Sequence, residues 1–518
     1  MSNGYLEPIN YSQRGDNGSQ YNDRLFKPLS VVDAKYIKSY IYPGNPFVEA
    51  LPPAPSEDEL LRSSAKSFDF DHDEIVKLPF PEQIEIIGQL KKLIRIPLPS
   101  YYPISTSIRG CLLSAHSCRR FNEQDPHLNE VKDPLDDFPR TNSYDDMGTD
   151  GGCNIIGASG CGKTTSLDPV LAYYPQVIRH KLKNGGSFLQ VVYLRIDCPR
   201  DNTTNIYERI GKALDKVLQT AHLKTFENML KGKSRTTNAE RATILERLVE
   251  AYGIGLIILD ESQNIKFSSA YDAYMNDLLN ISNMTNVCFI LVGTHYINFS
   301  YKLTEERRKV ARRVGGDVFA DRYCRSESYF RLIMANLSRY QLFEPEIDVL
   351  NNEDILNAIW DYSQGSIEPI MKLWIEMNIA YIEGERQPVV DGNFVRKVIN
   401  NRLYHQNQIV ENENRLQRKT ITAKLRDAIS DGFNWESGVD DGTIITDADR
   451  AAALYMEAMR IAANDMVDTM GGKGNYSKDD IRSAVIRCAL NLAHKGTDPS
   501  ATDIKDGAVK LLKTRKLR

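Results

Sequence analysis

The sequence lacks any C-x-x-C pair, any long hydrophobic run and any internal repeat or low-complexity tract. Its eight cysteines are scattered, which argues against a disulfide framework and fits reduced thiols in a cytoplasm. The one close Cys/His cluster, Cys111 with His116 and Cys118, has no fourth ligand nearby, so an ordinary packed patch is favoured over a zinc site. The polar first residues and the short apolar stretches predict a protein that is neither exported nor embedded in a membrane.

A strong excess of either charge is also missing. The 518 residues carry a formal net charge of −4, so any binding to nucleic acid has to come from local basic patches rather than from a global field. The hydrophobic content of 42% and the charged content of 26% are those of an ordinary globular protein. The length predicts roughly two to four domains.

The chain does contain an uninterrupted phosphate-loop motif. The residues from Gly157 to Thr164 fit G-x-x-x-x-G-K-[ST], and they lie between a strand-like run and a helix-like run whose start is made ambiguous by Pro169. The N–H groups of such a loop surround a phosphate chain, Lys163 adds charge at the β- and γ-phosphates, and the Thr164 hydroxyl can hold Mg²⁺. The predicted contacts to ATP are Gly157, Ala158, Ser159, Gly160, Cys161, Gly162, Lys163, Thr164 and Thr165.

A second signal is an apolar strand that ends in two carboxylates, Asp260 and Glu261. Asp260 can hold Mg²⁺ together with Thr164, and Glu261 can polarise a water for attack on the γ-phosphate. The following apolar strand ends at Thr294, which can help to position that water. We therefore predict ATP and Mg²⁺ as cofactors and hydrolysis of ATP as the reaction.

The pattern between these motifs predicts an α/β fold with a parallel sheet. Near-continuous apolar strands alternate with helices over 205–219 and 239–251, as in sheets covered on both faces. After about residue 335 the pattern becomes helical, and residues 411–447 have the composition of a linker. The predicted strands are Phe188–Cys198, Gly255–Asp260 and Val287–Thr294.

Basic residues supply the remaining candidates. An arginine from a neighbouring subunit can stabilise charge on the γ-phosphate, and Arg312 and Arg313 are the candidates for that role. Lys372 is a candidate nucleotide contact from the helical region. A basic, hydroxyl-bearing stretch is a candidate for tracking DNA phosphates without reading bases. Its residues are Lys224, Lys231, Lys233, Arg235 and Thr236.

The order of these features resembles that of the AAA+ ATPases, in which a helical lid follows the α/β domain. Within that class the chain resembles TnsC, the ATP-dependent regulator of heteromeric transposons, over about residues 40–405. The resemblance rests on the P-loop and on four other segments. These segments are 45–52, beginning Asn45-Pro46-Phe47, together with 174–178, 311–316 and 363–365.

The resemblance implies an AAA+ P-loop NTPase with a parallel sheet core, a helical lid and a mostly helical C-terminal extension. It implies rings or filaments, such as hexamers or heptamers, on duplex DNA in a bacterial cytoplasm. It also implies contacts with a target-selection protein, a transposase and an end-cleaving nuclease. The corresponding domains are an N-terminal arm (1–75), an ATPase domain (76–335), a lid (336–410) and a partner-docking tail (411–518).

Three alternatives stay open from sequence. A helicase-loader type of AAA+ ATPase would share the P-loop and DNA binding, but the segment at 45–52 and the long tail argue against it. A scaffold that binds ATP without hydrolysing it would not need Glu261 as a base. A small-molecule kinase would need a phosphoryl acceptor pocket, for which the sequence has no signature. The segment at 45–52 either docks on a partner or packs on the protein's own core.

Overall fold

The structure, a computed structural model, divides into two compact units. In its described parts, the first unit comprises residues 31–66 and 97–320, and the second comprises residues 67–96 and 322–516. The described residues are 31–117, 119, 152–182, 186–198, 206–220, 222–232, 236–262, 264, 281–282, 285–294, 318–320, 322, 328–386, 388–430, 435, 447–470, 476–496 and 500–516.

The first unit holds the strands and the second is helical. The strands are β1 (Val32–Asp33), β2 (Gly152–Ile156), β3 (Val177–Lys181), β4 (Ser187–Val191), β5 (Tyr193–Asp197), β6 (Leu256–Asp260), β7 (Cys288–Gly293) and β8 (Val318–Phe319). The helices of the chain are α1 (Pro46–Glu49), α2 (Glu57–Ser64), α3 (His72–Ile75), α4 (Phe80–Gly88), α5 (Leu90–Leu93), α6 (Tyr101–His116), α7 (Lys163–Leu171), α8 (Ile206–Val217), α9 (Thr225–Lys231), α10 (Asn238–Ala251), α11 (Ser328–Leu337), α12 (Glu353–Ser363), α13 (Ile367–Glu383), α14 (Gly392–Arg402), α15 (Tyr404–Ser430), α16 (Asp447–Met470), α17 (Lys478–Lys495) and α18 (Ala501–Lys516).

A five-stranded parallel sheet forms the centre of the first unit, in the order β5-β6-β7-β2-β8. All five residues of β2 and of β6 and all six of β7 are buried, so these strands are covered on both faces. The parallel sheet predicted from the apolar strands is confirmed. Parallel strands end at one edge, and the ends of β6 and β7 therefore lie beside the loop that follows β2.

The predicted strand Phe188–Cys198 is wrong as a single element. Residues 187–191 form β4, which pairs antiparallel with β3 in a separate three-stranded sheet, β1-β3-β4. After Val192 the chain changes partner, and β5 pairs parallel with β6. Both halves are apolar because both are buried, so the sequence pattern continues across the change of sheet.

The N-terminal segment packs on the protein's own core, as one of the two alternatives for residues 45–52 requires, and docking on a partner stays a prediction. The Asn45 side chain caps α1 by accepting from the N–H groups of Phe47 and Val48, and it donates to the carbonyl of His116 at 2.8 Å. Phe47 is fully buried and meets Phe188 edge-on, with the ring centroids 5.4 Å apart. This segment is therefore a structural part of the first unit.

Two buried histidines join this segment to the sheet. Tyr36 donates its hydroxyl to Nδ1 of His180, whose Nε2–H donates to Gln190 at 2.8 Å. The Gln190 amide donates in turn to the Phe47 carbonyl and to Nε2 of His116. Burial lowers the pKa of His180 to about 4, and burial together with the Arg119 charge lowers the pKa of His116 well below its usual value.

We expect this histidine pair to make the first unit acid-labile. Below about pH 6.5 the two histidines bind protons in the unfolded chain but stay neutral in the folded protein. The free energy of unfolding therefore falls as the pH decreases from 6.5 towards 4. The loss reaches about 1.4 kcal/mol per pH unit for each histidine. Urea unfolding between pH 4 and pH 7.5 measures it. His180→Gln should flatten the dependence, whereas His222→Gln, at an exposed histidine, should not.

The helical pattern predicted after about residue 335 is confirmed in α12, α13 and α14. Buried polar contacts fix their packing: the Trp374 indole donates to the Tyr340 carbonyl at 2.8 Å, and the Asn378 side chain accepts from the Leu342 N–H at 2.7 Å. The predicted linker at 411–447 is wrong for its first part, because α15 is a continuous helix of 27 residues.

The last helices, α16 to α18, share one hydrophobic core with the end of α15. Leu425 on α15 is fully buried in it, as are Ile481 and Val485 on α17 and Ile504 on α18. Ser477 is the N-cap of α17, since its hydroxyl accepts from the Asp480 N–H at 3.1 Å. The basic C-terminal residues Lys510 and Lys513 lie on α18. Within the described residues, no helix is both long enough and apolar enough to span a bilayer.

Candidate nucleotide-binding site

The phosphate loop leaves the end of β2 and enters α7. The Gly157 N–H donates to the Gly293 carbonyl at the end of β7, and a Cβ at Gly157 would lie 2.0 Å from the Ala320 carbonyl oxygen. Gly162 is the residue before α7 and has φ of +86°, a left-handed conformation that disfavours any side chain. The two glycines therefore serve different needs, close approach and a left-handed turn. The helix runs through Pro169, which resolves the ambiguity at its start.

Lys163 is the first residue of α7, and its ammonium lies within the loop. Its Nζ donates to the carbonyls of Gly157 and Ala158 at 3.0 and 2.7 Å. The loop thus carries a fixed positive charge at the N-terminus of a helix, where the helix dipole adds further positive potential. This arrangement suits a phosphate chain.

Thr164 and Asp260 are brought together across the sheet edge. The Thr164 hydroxyl donates to Oδ1 of Asp260 at 3.4 Å, although the two residues are far apart in sequence. The same oxygen accepts from the Glu261 N–H at 2.9 Å. Hydroxyl and carboxylate oxygens are the ligands that Mg²⁺ prefers, so these two side chains fit the metal predicted from sequence.

Glu261 follows directly with φ of +55°. A left-handed conformation is uncommon for a residue with a long side chain, and such backbone strain is typical of active sites. The strain turns the chain sharply at the end of β6, and the Asn264 N–H donates back to the Glu261 carbonyl at 2.9 Å. Glu261 is thereby held at the carboxyl edge of the sheet, next to Asp260.

Arg195 on β5 is a site residue that the sequence analysis missed. Its guanidinium donates to Oδ2 of Asp260 at 2.8 Å and to Oδ1 of Asp168, on α7, at 2.7 Å. Burial disfavours the charge, but the hydrogen bond to Asp260 and the two carboxylate charges outweigh it and raise the pKa of Arg195. The available signal was a single arginine between apolar neighbours in a buried strand.

The other predicted catalytic residues and the predicted nucleotide contact Lys372 lie elsewhere in the chain. Thr294 follows β7 immediately, at the same sheet edge as Asp260. Lys372 lies on α13 in the helical unit, and its contact with nucleotide stays a prediction. Arg312 and Arg313 lie outside the described residues.

The predicted DNA-binding stretch includes a short helix, α9, which lies between β5 and β6 in the chain. Lys224 precedes α9 with φ of +50°, and Lys231 ends it, with Nζ 3.5 Å from Glu208. The buried Asp215 carboxylate fixes the start of α9 by accepting from the N–H groups of Phe226 and Glu227. The Thr236 side chain lies against Gly232. Lys233 and Arg235 lie outside the described residues, and a role in DNA binding stays a prediction for all five.

Comparison with known families agrees with this geometry. The sequence model of a protein family described as an AAA domain matches residues 146–299, the stretch that contains the phosphate loop, Asp260 and Thr294. The chain carries an AAA domain. The AAA+ P-loop fold predicted from sequence, with its parallel sheet core and largely helical C-terminal region, is confirmed. Within the described residues, no group of three or more His, Cys, Asp or Glu side chains is placed to hold a metal ion by itself. Cys118 lies outside the described residues.

Several solved structures are similar to this chain at low identity. A Walker-type ATPase of Pyrococcus abyssi is 15% identical, covers 56% of this chain and 81% of its own, and has a TM-score of 0.30. The ORC1 protein of Aeropyrum pernix in complex with DNA is 14% identical, with a TM-score of 0.30. The match covers 71% of this chain and 88% of the ORC1 chain. AMPPCP-bound DnaA of Aquifex aeolicus is 14% identical, with a TM-score of 0.23. The match covers 71% of this chain and 82% of the DnaA chain. No curated protein matches the sequence significantly.

Proposed function

We propose that this protein hydrolyses ATP to control its assembly on DNA, and that it acts as a TnsC-like regulator of DNA transposition. In this role it links a target-selection protein to the transposase and leaves the DNA after hydrolysis. The observation that carries the ATPase part is the hydrogen bond between Thr164 of the phosphate loop and Asp260 at the end of β6. It joins a phosphate-binding element to a carboxylate suited to Mg²⁺.

The residues of the site have distinct roles in the proposed reaction. The loop N–H groups and the Lys163 ammonium bind the β- and γ-phosphates, which replace the carbonyls of Gly157 and Ala158 as acceptors for Nζ. Mg²⁺, held by Thr164 and Asp260, supplies charge neutralisation when bound.

Glu261 accepts a proton from the attacking water. As the water oxygen bonds to the γ-phosphorus, the bond from that phosphorus to the bridging oxygen breaks, and ADP and phosphate leave. Arg312 or Arg313 of a neighbouring subunit supplies the charge that stabilises the transition state. Such an arrangement makes hydrolysis depend on assembly.

The transposition part of the proposal rests on the sequence resemblance in segments 45–52, 157–167, 174–178, 311–316 and 363–365. The proposed DNA contacts are Lys224, Lys231, Lys233, Arg235 and Thr236, which contain no base-reading pattern and suit backbone contacts. The proposed partners of the C-terminal helices are the transposase and the end-cleaving nuclease.

Negative-stain imaging with duplex DNA tests the proposal. We expect rings or filaments on the DNA when a non-hydrolysable ATP analogue is present, and dispersed protein when nucleotide is omitted. Monomers under both conditions would contradict it. Assemblies that form on DNA but never dissociate with ATP, without phosphate release, would instead indicate a non-hydrolysing scaffold.

Activation of a cognate transposase in a strand-transfer assay separates the regulator from a helicase loader. Nucleotide-dependent DNA assemblies that stimulate helicase loading and leave strand transfer unchanged would contradict the transposition part alone.

A further inference from the structure

Arg195 lies between two carboxylates at the edge of the site. One guanidinium nitrogen contacts Asp260 and the other contacts Asp168, and both distances are below 3 Å. The Asp260 side chain is 3% exposed and that of Arg195 is 23% exposed, so solvent screens their attraction only weakly. Asp168 is more open to solvent. The three side chains come from β6, β5 and α7, and they connect the acidic strand end to the helix of the phosphate loop.

The arrangement affects how a cation reaches Asp260. Without a positive charge at position 195, Asp260, Asp168 and the Thr164 hydroxyl would offer a divalent cation oxygen ligands and two negative charges. With Arg195 in place, Oδ2 of Asp260 is already engaged and its charge is compensated. Only Oδ1, which faces Thr164 and the Glu261 N–H, is left towards the phosphate loop.

We propose that Arg195 is a positioning residue that makes metal binding at Asp260 conditional on nucleotide. Its fixed charge keeps divalent cations weakly bound to the nucleotide-free protein, and the phosphates of ATP supply the missing negative charge and oxygen ligands. The nucleotide half of this inference rests on the proposed ATP binding; the nucleotide-free half does not.

Binding of Mn²⁺, followed by electron paramagnetic resonance, tests the inference in the full chain. In the absence of nucleotide, Arg195→Met should bind Mn²⁺ at least about tenfold more tightly than the wild type, because a unit charge close to the carboxylate is removed. Arg195→Lys, which keeps the charge, should stay close to the wild type. A non-hydrolysable ATP analogue should increase the affinity for Mn²⁺ by a smaller factor in Arg195→Met than in the wild type. By linkage, Mn²⁺ should then increase the affinity for the analogue by the same smaller factor.

The control is Arg179→Met, which removes a strand arginine whose partner Asp33 is exposed and which should leave Mn²⁺ binding unchanged. The gain in Arg195→Met should disappear when Asp260→Asn is added. If circular dichroism shows that Arg195→Met does not fold, Arg195→Gln replaces it as the variant without a charge at position 195.

Unchanged nucleotide-free affinity in a folded neutral variant would overturn the inference. So would a gain that survives Asp260→Asn, or an Arg195→Lys protein that binds Mn²⁺ as tightly as Arg195→Met. A wild-type protein that does not bind the ATP analogue would contradict the proposed function, while the nucleotide-free comparison would still decide the role of Arg195.

Discussion

Lys163→Ala is expected to lower the affinity for ATP about a hundredfold and to remove the nucleotide-dependent assemblies on DNA. The ammonium lies inside the phosphate loop, where the β- and γ-phosphates are expected to bind. Truncating one member of a close charge pair costs about 3 kcal/mol, which corresponds to about two powers of ten in affinity. Calorimetric titration with a non-hydrolysable analogue gives the affinity, and imaging on duplex DNA gives the assemblies.

The matched control is Lys181→Ala, which removes a lysine of the same unit whose side chain is 79% exposed and whose nearest carboxylate is Asp33. This variant should behave as the wild type in both measurements. A Lys163→Ala protein that still assembled normally with nucleotide would show that the phosphate loop does not control assembly. The proposed control of DNA assembly by ATP would then be wrong.

Glu261→Gln is expected to slow ATP hydrolysis by about 10²- to 10⁴-fold while leaving ATP binding intact. Glutamine keeps the size of the side chain but cannot accept the proton of the attacking water. Because the nucleotide then stays as ATP, assemblies on DNA should persist after ATP is added, where wild-type assemblies dissociate. Phosphate release and time-resolved imaging measure the two effects.

Glu57→Gln, at an exposed position at the start of α2, is the control and should change neither hydrolysis nor dissociation. The two site variants are expected to act in opposite directions on DNA, since Lys163→Ala prevents assembly and Glu261→Gln prolongs it. Wild-type turnover in Glu261→Gln would remove Glu261 as the base, whatever the result for Lys163.

The parts of the fold that sequence predicted are those with local signals. The phosphate loop is contiguous, and the acidic pair ends a strand that is apolar throughout, so both were found without knowledge of their partners. The parallel sheet followed from buried strands separated by helices. What these signals have in common is that each depends on neighbours within a few residues.

The missed features depend on distant partners. Arg195 finds Asp168 and Asp260 only after β5, β6 and α7 have been placed side by side. The sequence pattern does not show the change of sheet at Val192, since β4 and β5 are both apolar. The start of the predicted linker is helical in α15, which is polar along its exposed length. Among the side chains of α15 that the structure describes, the buried ones are Thr422 and Leu425, near its end.

The N-terminal segment has a practical consequence for dissecting the protein. The AAA match covers residues 146–299, but the first compact unit also includes β1, α1, α2 and α6, which precede it in the chain. A fragment cut at the boundaries of the match would expose the surface that Phe47 covers on Phe188 and would leave Gln190 without its carbonyl acceptor. We therefore expect the minimal piece that can be purified as a folded AAA domain to begin at or before β1, at least 114 residues upstream of the match.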